Sequence, residues 1–341
     1  MTDTRAHKMA AARSARETLR ELAAGLVTLG YRERDAEFVV AAALTGGYFL
    51  RRQYRAFSGC RKGRAELRLL RCAEANRHVR AAFPGHSRRE TLYQLRGSSL
   101  RKALGPAAGE VRGRARARRW VKQHLLALDH FIGSEDGRWL LHAGEKAAFF
   151  RSLGIPEALL PAAPRTRNGK RILFPDAFPI QVADGDGPTV AFSYAHAEAT
   201  EAGMLRHLQR HEPLAGALAS RGIGIDLAVL ADSAVQFLRL RRAWRKWAGR
   251  VERDWKEAQL FELRRRVDKR RWKALSLESI QRYADLRAAH DGEGAERRYR
   301  AWIANGAPQR DPGPCPTASC TYREVLLDHD YRAADLVAAR G

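Results

Sequence analysis

Cysteines, acidic residues and long apolar runs are all scarce in this sequence. Four cysteines among 341 residues are too few for a disulfide scaffold, which favours a reducing compartment. No run of about eighteen apolar residues occurs, so we expect no transmembrane helix. Residues 1–20 are basic and rich in alanine but hold no apolar segment, so we expect no secretory signal. These absences favour a cytoplasmic protein.

The shortage of acidic residues leaves a large positive charge. The 62 lysines and arginines outnumber the 38 aspartates and glutamates, which gives a net charge of +24. Residues 1–130 carry a net +17, residues 131–235 a net −2 and residues 236–305 a net +10. A basic excess of this size is typical of proteins that bind nucleic acid. We therefore expect two basic regions that contact nucleic acid, separated by a neutral module with a different role.

The residue pattern over 1–110 predicts a winged helix-turn-helix domain. Helices are predicted at 17–29, 34–44, 50–57 and 63–79, and strands at 78–83 and 90–95. The fourth helix would bury Leu67, Leu70 and Ala73 and expose its arginines. In a winged helix this helix enters the major groove of DNA, and the hairpin tip contacts the backbone. A helical domain with a solvated arginine face is the alternative.

The predicted DNA contacts are basic side chains in three parts of the chain. Arginine suits this role because its guanidinium group forms bidentate bonds to guanine and phosphate. The N-terminal candidates are Arg51, Arg52, Arg55, Arg61, Lys62, Arg64, Arg68 and Arg71. The hairpin tip adds Arg88 and Arg89, and the C-terminal region adds Arg264, Arg265 and Lys269. The arginines of the fourth helix should govern sequence preference, whereas the tip arginines should add sequence-independent affinity.

Residues 111–160 are predicted as a helical connector and residues 161–235 as a small α/β module. Within the module, strands are predicted at 171–182, 189–194 and 225–230, and a helix at 201–217. Strand, strand, helix, strand is the order of a restriction-endonuclease-like fold. The predicted fold class of the whole chain is therefore α+β.

Asp176 is placed in this module as the first acid of a metal-dependent nuclease would be. Such an enzyme also needs an acid on the next strand and a lysine two residues later. That strand here, Val190–His196, has neither, and Glu198 and Glu201 follow too late. We therefore expect no catalytic residue, no bound metal, no cofactor and no cleavage with Mg²⁺ or Mn²⁺. Asp176 would instead accept backbone N–H groups or pair with Arg171.

The last third of the chain is predicted as a basic helical region over 236–305 and a linker with a short tail over 306–341. Its tryptophans follow helical spacing, which favours a core or a dimer interface over stacking on bases. Three potential zinc donors occur where four are needed; they are Cys315, Cys320 and His329. His207 and His211 lie on one helix face, but no His-Glu-x-x-His pattern surrounds them.

Several segments together resemble the replication-relaxation-like proteins of plasmids and integrative elements. They are the N-terminal winged helix, Tyr93–Leu95, Arg101–Gly105 and Phe174–Ala177. The resemblance spans roughly residues 30–240. It implies a DNA-binding winged helix joined to a degenerate PD-(D/E)XK-like domain, on a protein carried by a mobile element. The departure on the second strand argues against cleavage by this chain.

The resulting hypothesis is a DNA-binding protein, either a transcriptional or a replication regulator of a mobile genetic element. Its partner would be double-stranded DNA, with no membrane and no small-molecule substrate, and a homodimer stays open. It would be associated with the nucleoid in the cytoplasm of a bacterial-type cell. The alternative is a metal-dependent nuclease or nuclease subunit, with Asp176 as its surviving ligand. A third hypothesis is an RNA-binding accessory protein, because positive charge attracts either nucleic acid.

Overall fold

The computed structural model describes most of the chain and has two sheets surrounded by helices. The described residues are 15–60, 63–83, 91–105, 117–134, 138–163, 171–184, 188–269, 275–290, 292–306, 313–327 and 331. The mixture of helices and two sheets confirms the predicted α+β class. None of the helices within these ranges is long and apolar enough to cross a membrane.

The helices and strands are numbered here in chain order. The helices are α1 Ala15–Val27, α2 Glu33–Leu44, α3 Arg51–Ser58, α4 Arg64–Ala75, α5 Ser98–Leu104, α6 Arg118–Gly133, α7 Ala143–Ser152, α8 Glu201–Ala219, α9 Ala234–Asp268, α10 Leu277–His290 and α11 Glu293–Ala304. The strands are β1 Tyr48–Leu50, β2 Val79–Phe83, β3 Leu92–Leu95, β4 Arg138–Leu140, β5 Ile180–Asp184, β6 Pro188–Ala195, β7 Gly224–Ala231 and β8 Cys320–Leu326.

The N-terminal part packs helices α1 to α5 around a small antiparallel sheet. The strand order is β1-β3-β2, so β3, the last of these three strands in sequence, lies between the other two. Helix α2 is the centre of the core, because its run from Ala36 to Leu44 is buried throughout. Phe38 contacts the rings of Phe49 and Tyr54, which joins α2 to β1 and α3.

Two details of this region differ from the sequence predictions. Helix α4 ends at Ala75 rather than at residue 79, because Arg77 adopts a positive φ of 56° and the chain then enters β2. Leu67 was expected to be buried but is 43% exposed, and Leu69 is buried in its place. The helix is therefore rotated relative to the predicted face. The predicted hairpin turn at 84–89 lies outside the described residues.

The larger sheet has the strand order β4-β5-β6-β7-β8. Strands β4, β5 and β6 run antiparallel, whereas β7 and β8 are parallel to β6. Helix α8 makes the crossover that parallel pairing of β6 and β7 requires. One face of the sheet packs on α8 and the first half of α9, with Trp247 buried in this core as expected for a structural tryptophan.

The larger sheet extends beyond the predicted module of 161–235. Strand β4 lies in the segment predicted as a helical connector, and β8 lies in the segment predicted as linker and helical tail. Neither was predicted, because β4 has only three residues and β8 pairs with a strand about ninety residues away in sequence. The strand predicted at 171–182 is reduced to Ile180–Asp184. Pro175 and Pro179 account for this difference, since proline cannot donate to a strand ladder.

Helix α6 joins the two parts of the protein. Arg52 of α3 donates two hydrogen bonds of 2.9 Å to Asp129 of α6, and Tyr331 donates to the same carboxylate. On the other side, Lys122 of α6 forms a buried ion pair with Asp232, at 2.5 Å. The second half of α9 extends from the sheet and packs with α10 and α11 in a small separate core.

Candidate functional site

Helix α4 presents a basic face at the surface. Arg64, Leu67 and Arg71 are exposed on it, and their spacing of three and four residues puts them on one side of the helix. The opposite side is held by Leu69, Leu70 and Ala73, which are buried in the N-terminal core. Of the predicted DNA contacts on this helix, Arg64 and Arg71 therefore extend into solvent.

Arg68 is oriented differently from its neighbours on α4. Its Nε and Nη2 atoms donate to the two carboxylate oxygens of Asp35, each at 3.1 Å. Tyr54 donates a third hydrogen bond to Asp35 at 2.5 Å, and burial together with this bond raises the pKa of Tyr54 well above its usual value. Arg68 is 37% exposed, but it does not extend freely into solvent as Arg64 and Arg71 do, because a buried carboxylate on α2 binds its guanidinium group.

The predicted contacts on α3 also form internal ion pairs. Arg51 and Arg55 both contact Glu66 of α4, Arg55 at 3.6 Å. Arg52 pairs with Asp129 and lies over the ring of Tyr331. Arg51, Arg52 and Arg55 are 17%, 27% and 33% exposed, respectively. They hold α3 against α4 and α6. Four other predicted contacts lie outside the described residues: Arg61, Lys62, and Arg88 and Arg89 of the hairpin tip.

The predicted DNA contacts of the C-terminal region also fall into two groups: two arginines form internal contacts, and one lysine is exposed. Arg264 donates to Glu296 at 2.6 Å and lies 4.1 Å over the ring of Tyr299. Arg265 pairs with Glu262 at 2.7 Å and is only 15% exposed. Arg265 also lies 5.9 Å from the ring centre of Trp302 on α11, so both side chains contribute to the α9–α11 contacts. Lys269, directly after α9, is exposed.

A second site lies in the large sheet, where a cavity of about 270 Å³ opens beside the end of β6. Its walls come from α6, the segment before β5, the end of β6 and the first turns of α8. Thr200 accepts a hydrogen bond from the backbone N–H of Gly203 and so caps α8. A Cβ atom at Gly203 would lie 3.0 Å from the hydroxyl of Tyr194, so glycine lets α8 approach β6 closely.

Asp176 is held at the mouth of this cavity by an unusual turn. Phe174 and Ala177, on either side of the Pro175-Asp176 pair, have positive φ values of 48° and 56°. Non-glycine residues adopt this region rarely, and such positions concentrate at functional sites. Lys146 of α7 supports the turn, because its buried Nζ donates to the carbonyl of Phe178 at 2.6 Å. Burial lowers the pKa of Lys146 to about 8.

Asp176 is bound by two side chains of α8. His207 Nδ1 lies 3.2 Å from its Oδ2, and Arg210 donates to both oxygens at 3.0 and 3.1 Å. Burial would raise the pKa of this carboxyl group, but the hydrogen bond with His207 and the guanidinium charge of Arg210 lower it well below its usual range. The expected pairing with Arg171 is wrong. Arg171 instead donates to backbone carbonyls, including that of Glu157.

His211 lies one turn after His207 and continues the same cluster. Its Nδ1 lies 2.9 Å from the backbone oxygen of His207, and the two rings are 4.2 Å apart. Burial and the neighbouring His207 lower the pKa of His211 to about 3, so its ring is neutral at physiological pH. Asp176, His207 and His211 each bring one donor atom to within 4.8 Å of the others.

The end of β6 and the residue that follows it contribute a phenol and an imidazole to the cavity, where a metal-dependent nuclease would have an acid and a lysine. Tyr194 and His196 line it beside Asp176. Glu198 is on the loop after His196, where its backbone N–H bonds the His196 ring at 3.2 Å. Glu201 pairs with Lys246 at 3.6 Å and is 41% exposed. The cavity lining within the described part of the chain thus has one carboxylate, Asp176, and no lysine.

The sequence signal for this site was present but weak. The four-residue spacing of His207 and His211 was visible, yet the spacing by itself did not connect them to Asp176. The roles of Tyr194, His196 and Arg210 had no sequence signal, because they depend on the crossover that brings α8 over the end of β6.

Comparison of the chain with family models, curated proteins and solved structures found no match. The resemblance to replication-relaxation-like proteins therefore stays a hypothesis.

Proposed function

We propose that this protein binds duplex DNA through α4, and that it regulates transcription or replication of a mobile genetic element. The observation that carries the proposal is the exposed basic face of α4, together with the order of the helices and strands around it. Helix α2, strand β1, helices α3 and α4, and strands β2 and β3 follow one another with the sheet order β1-β3-β2. This order is the one expected of a winged helix-turn-helix, and it supports the proposal that α4 acts as the recognition helix.

The chemistry of the α4 face suits the major groove. Arg64 and Arg71 can each donate two hydrogen bonds to a guanine edge, and Leu67 can contact the methyl group of a thymine. Leu67 is exposed between the two exposed arginines and would be covered in such a complex. The internal pairs of Arg51, Arg52 and Arg68 have a different role in this proposal, because they fix the orientation of α4.

The charge of the whole chain supports a polyanionic partner. The net charge of +24 would attract DNA phosphates, and exposed Lys269 supplies a candidate phosphate contact far from α4 in sequence. In this proposal the α/β module is not a Mg²⁺-dependent nuclease. The cavity residues Tyr194 and His196 lack the negative charge and the ammonium group that such a mechanism uses.

The proposal is tested by selecting preferred sites from random duplex DNA and comparing two arginine variants. Arg71→Ala should lower affinity for the selected site by about 5- to 150-fold and relax the preference at one base pair. Arg151→Ala is the matched control, because Arg151 is 67% exposed on α7 and its loss removes the same charge. Three outcomes would contradict the proposal: equal effects of the two variants, equal binding of heparin and duplex DNA, or tighter binding of RNA than of duplex DNA.

A further inference from the structure

The cluster at the cavity mouth contains polar atoms that the protein leaves unused. His207 is 6% exposed, and its Nε2 atom has no hydrogen-bond partner among the described residues. The hydroxyl group of Tyr194 is also buried without a partner in the described part of the chain, and its ring lies 4.8 Å from that of His207. Buried polar atoms without partners are rare in folded proteins and indicate an ion, a ligand or an ordered water.

We propose that Asp176, His207 and His211 bind a divalent transition-metal ion of the Zn²⁺ class, with a further coordination position open to the cavity. Two histidines spaced by four residues on one helix face supply neighbouring ligands, as in helical zinc sites. Two nitrogens and one carboxylate oxygen match the preferences of Zn²⁺, Co²⁺ and Ni²⁺. This site is separate from the α4 face and goes beyond the proposed DNA binding.

Metal binding requires only a small movement of the three donor atoms toward one another. The three donor atoms lie within 4.8 Å of one another, whereas metal–ligand bonds of about 2.1 Å place ligands roughly 3.4 Å apart in a tetrahedron. The donor atoms must therefore approach one another by at most about 1.4 Å. Rotation about the χ2 bonds of the histidines and the aspartate can supply this movement, because the energy wells of these bonds are broad.

The hydrogen bonds around the cluster prepare the ligands. The contact of His211 Nδ1 with the backbone oxygen of His207 fixes the proton on Nδ1 and leaves Nε2 as the electron-pair donor. This partner for the second ring nitrogen is typical of metal-binding histidines. Arg210 neutralises Asp176 through two hydrogen bonds, and the carboxylate keeps further lone pairs with which it can bind the ion.

The donor set also selects against Mg²⁺. That ion requires six oxygen ligands in octahedral order and binds imidazole poorly. The cluster offers two imidazoles and one carboxylate, so a hard cation should not be retained. Three protein ligands beside an open cavity are the arrangement that leaves a position for water or another small ligand on the metal.

The proposal is tested by titrating the metal-free full-length protein with Co²⁺ and following its visible absorption, with Zn²⁺ as the competitor. Co²⁺ should bind with the weak visible bands of a nitrogen and oxygen ligand set and without a strong thiolate charge-transfer band. His207→Gln and His211→Gln should each weaken binding by more than about 100-fold, since loss even of an outer-shell partner costs 10- to 100-fold. His290→Gln, on α10, is the matched control and should bind as the unaltered protein does.

The two ligand variants keep the result interpretable if one of them fails to fold, because His207 is buried whereas His211 is partly exposed. A circular dichroism spectrum of each variant without metal checks the fold. Unchanged Co²⁺ binding in both folded variants would overturn the proposal. A thiolate band that disappears in a Cys315→Ser/Cys320→Ser variant would also overturn it, since it would assign the ion to the cysteines. No DNA is present in these measurements, so they are independent of the proposed DNA binding.

Discussion

Arg68 and Asp35 form a two-bond ion pair that connects the exposed helix α4 to the buried helix α2, with both N–O distances at 3.1 Å. Asp35 is 2% exposed, whereas Arg68 is 37% exposed. Arg68 therefore lies at the surface and covers the buried, charged carboxylate of Asp35. The pair helps to fix the rotation of α4 about its own axis, which leaves Arg64 and Arg71 exposed. The face that we propose for DNA binding therefore depends on a contact inside the protein.

The first prediction concerns the stability that this pair contributes. Asp35→Ala leaves the Arg68 guanidinium and the Tyr54 hydroxyl without their acceptor. It should lower the free energy of unfolding by about 2–4 kcal/mol, less than a fully buried pair because Arg68 is partly in water. Asp254→Ala is the control: its carboxylate is 61% exposed and pairs with Arg250, so it should cost under about 1 kcal/mol. Urea unfolding measures both, and similar losses would refute the structural role of Asp35.

The second prediction uses the buried amine of Lys146, which is 1% exposed. Its pKa of about 8 lies below the ordinary value of 10.5. Between these pH values only the unfolded state holds the proton, so stability should rise with pH. The rise from pH 8 to pH 10 should be about 2–3 kcal/mol.

Lys146→Met provides the comparison for this pH effect. The variant keeps the length of the side chain but lacks the titrating group, so its free energy of unfolding should lack this rise. Tyrosines with raised pKa values titrate in both proteins, and the difference between the two curves removes their contribution. Parallel curves from pH 8 to pH 10 would show that Lys146 does not titrate in this range.

The third prediction concerns salt. Binding that neutralises DNA phosphates releases counterions, so the logarithm of affinity should fall linearly with the logarithm of salt concentration. Lys269→Ala should reduce the magnitude of this slope by about one. Lys256→Ala is the matched control, because Lys256 lies on α9 and forms an ion pair with Glu252 of that helix, at 2.6 Å. Fluorescence anisotropy from low to moderate salt measures the slopes, and identical slopes for the two variants would remove Lys269 from the interface.

The fourth prediction separates a regulator from a nuclease. The protein should not cleave its selected duplex with Mg²⁺ or Mn²⁺, because Asp176 is the one carboxylate among the described residues that line the cavity, and that lining includes no lysine. Asp176→Ala should keep its DNA affinity within about twofold, on the general expectation that distant sites act independently. Gel analysis of the incubated duplex is the measurement. Cleavage that disappears in Asp176→Ala would replace the regulator proposal with the nuclease alternative.

The sequence by itself determined the features that arise from local periodicity and composition. Helices α2 and α8 and strands β6 and β7 were predicted within a few residues, because each carries a clear apolar pattern over its own length. The positive charge and its concentration in two regions also follow directly from the residues. The α+β class could be predicted for the same reason, since it requires only the types of the elements.

Only the tertiary structure decided which distant residues meet. Asp176 and His207 are 31 residues apart, and the β6–α8–β7 crossover brings them together. Strand β8 exists because β7 offers it an edge to pair with, and Arg68 is held at Asp35 because this buried carboxylate on another helix attracts its guanidinium group. These outcomes depend on non-local pairing and charge, which a local residue pattern does not encode.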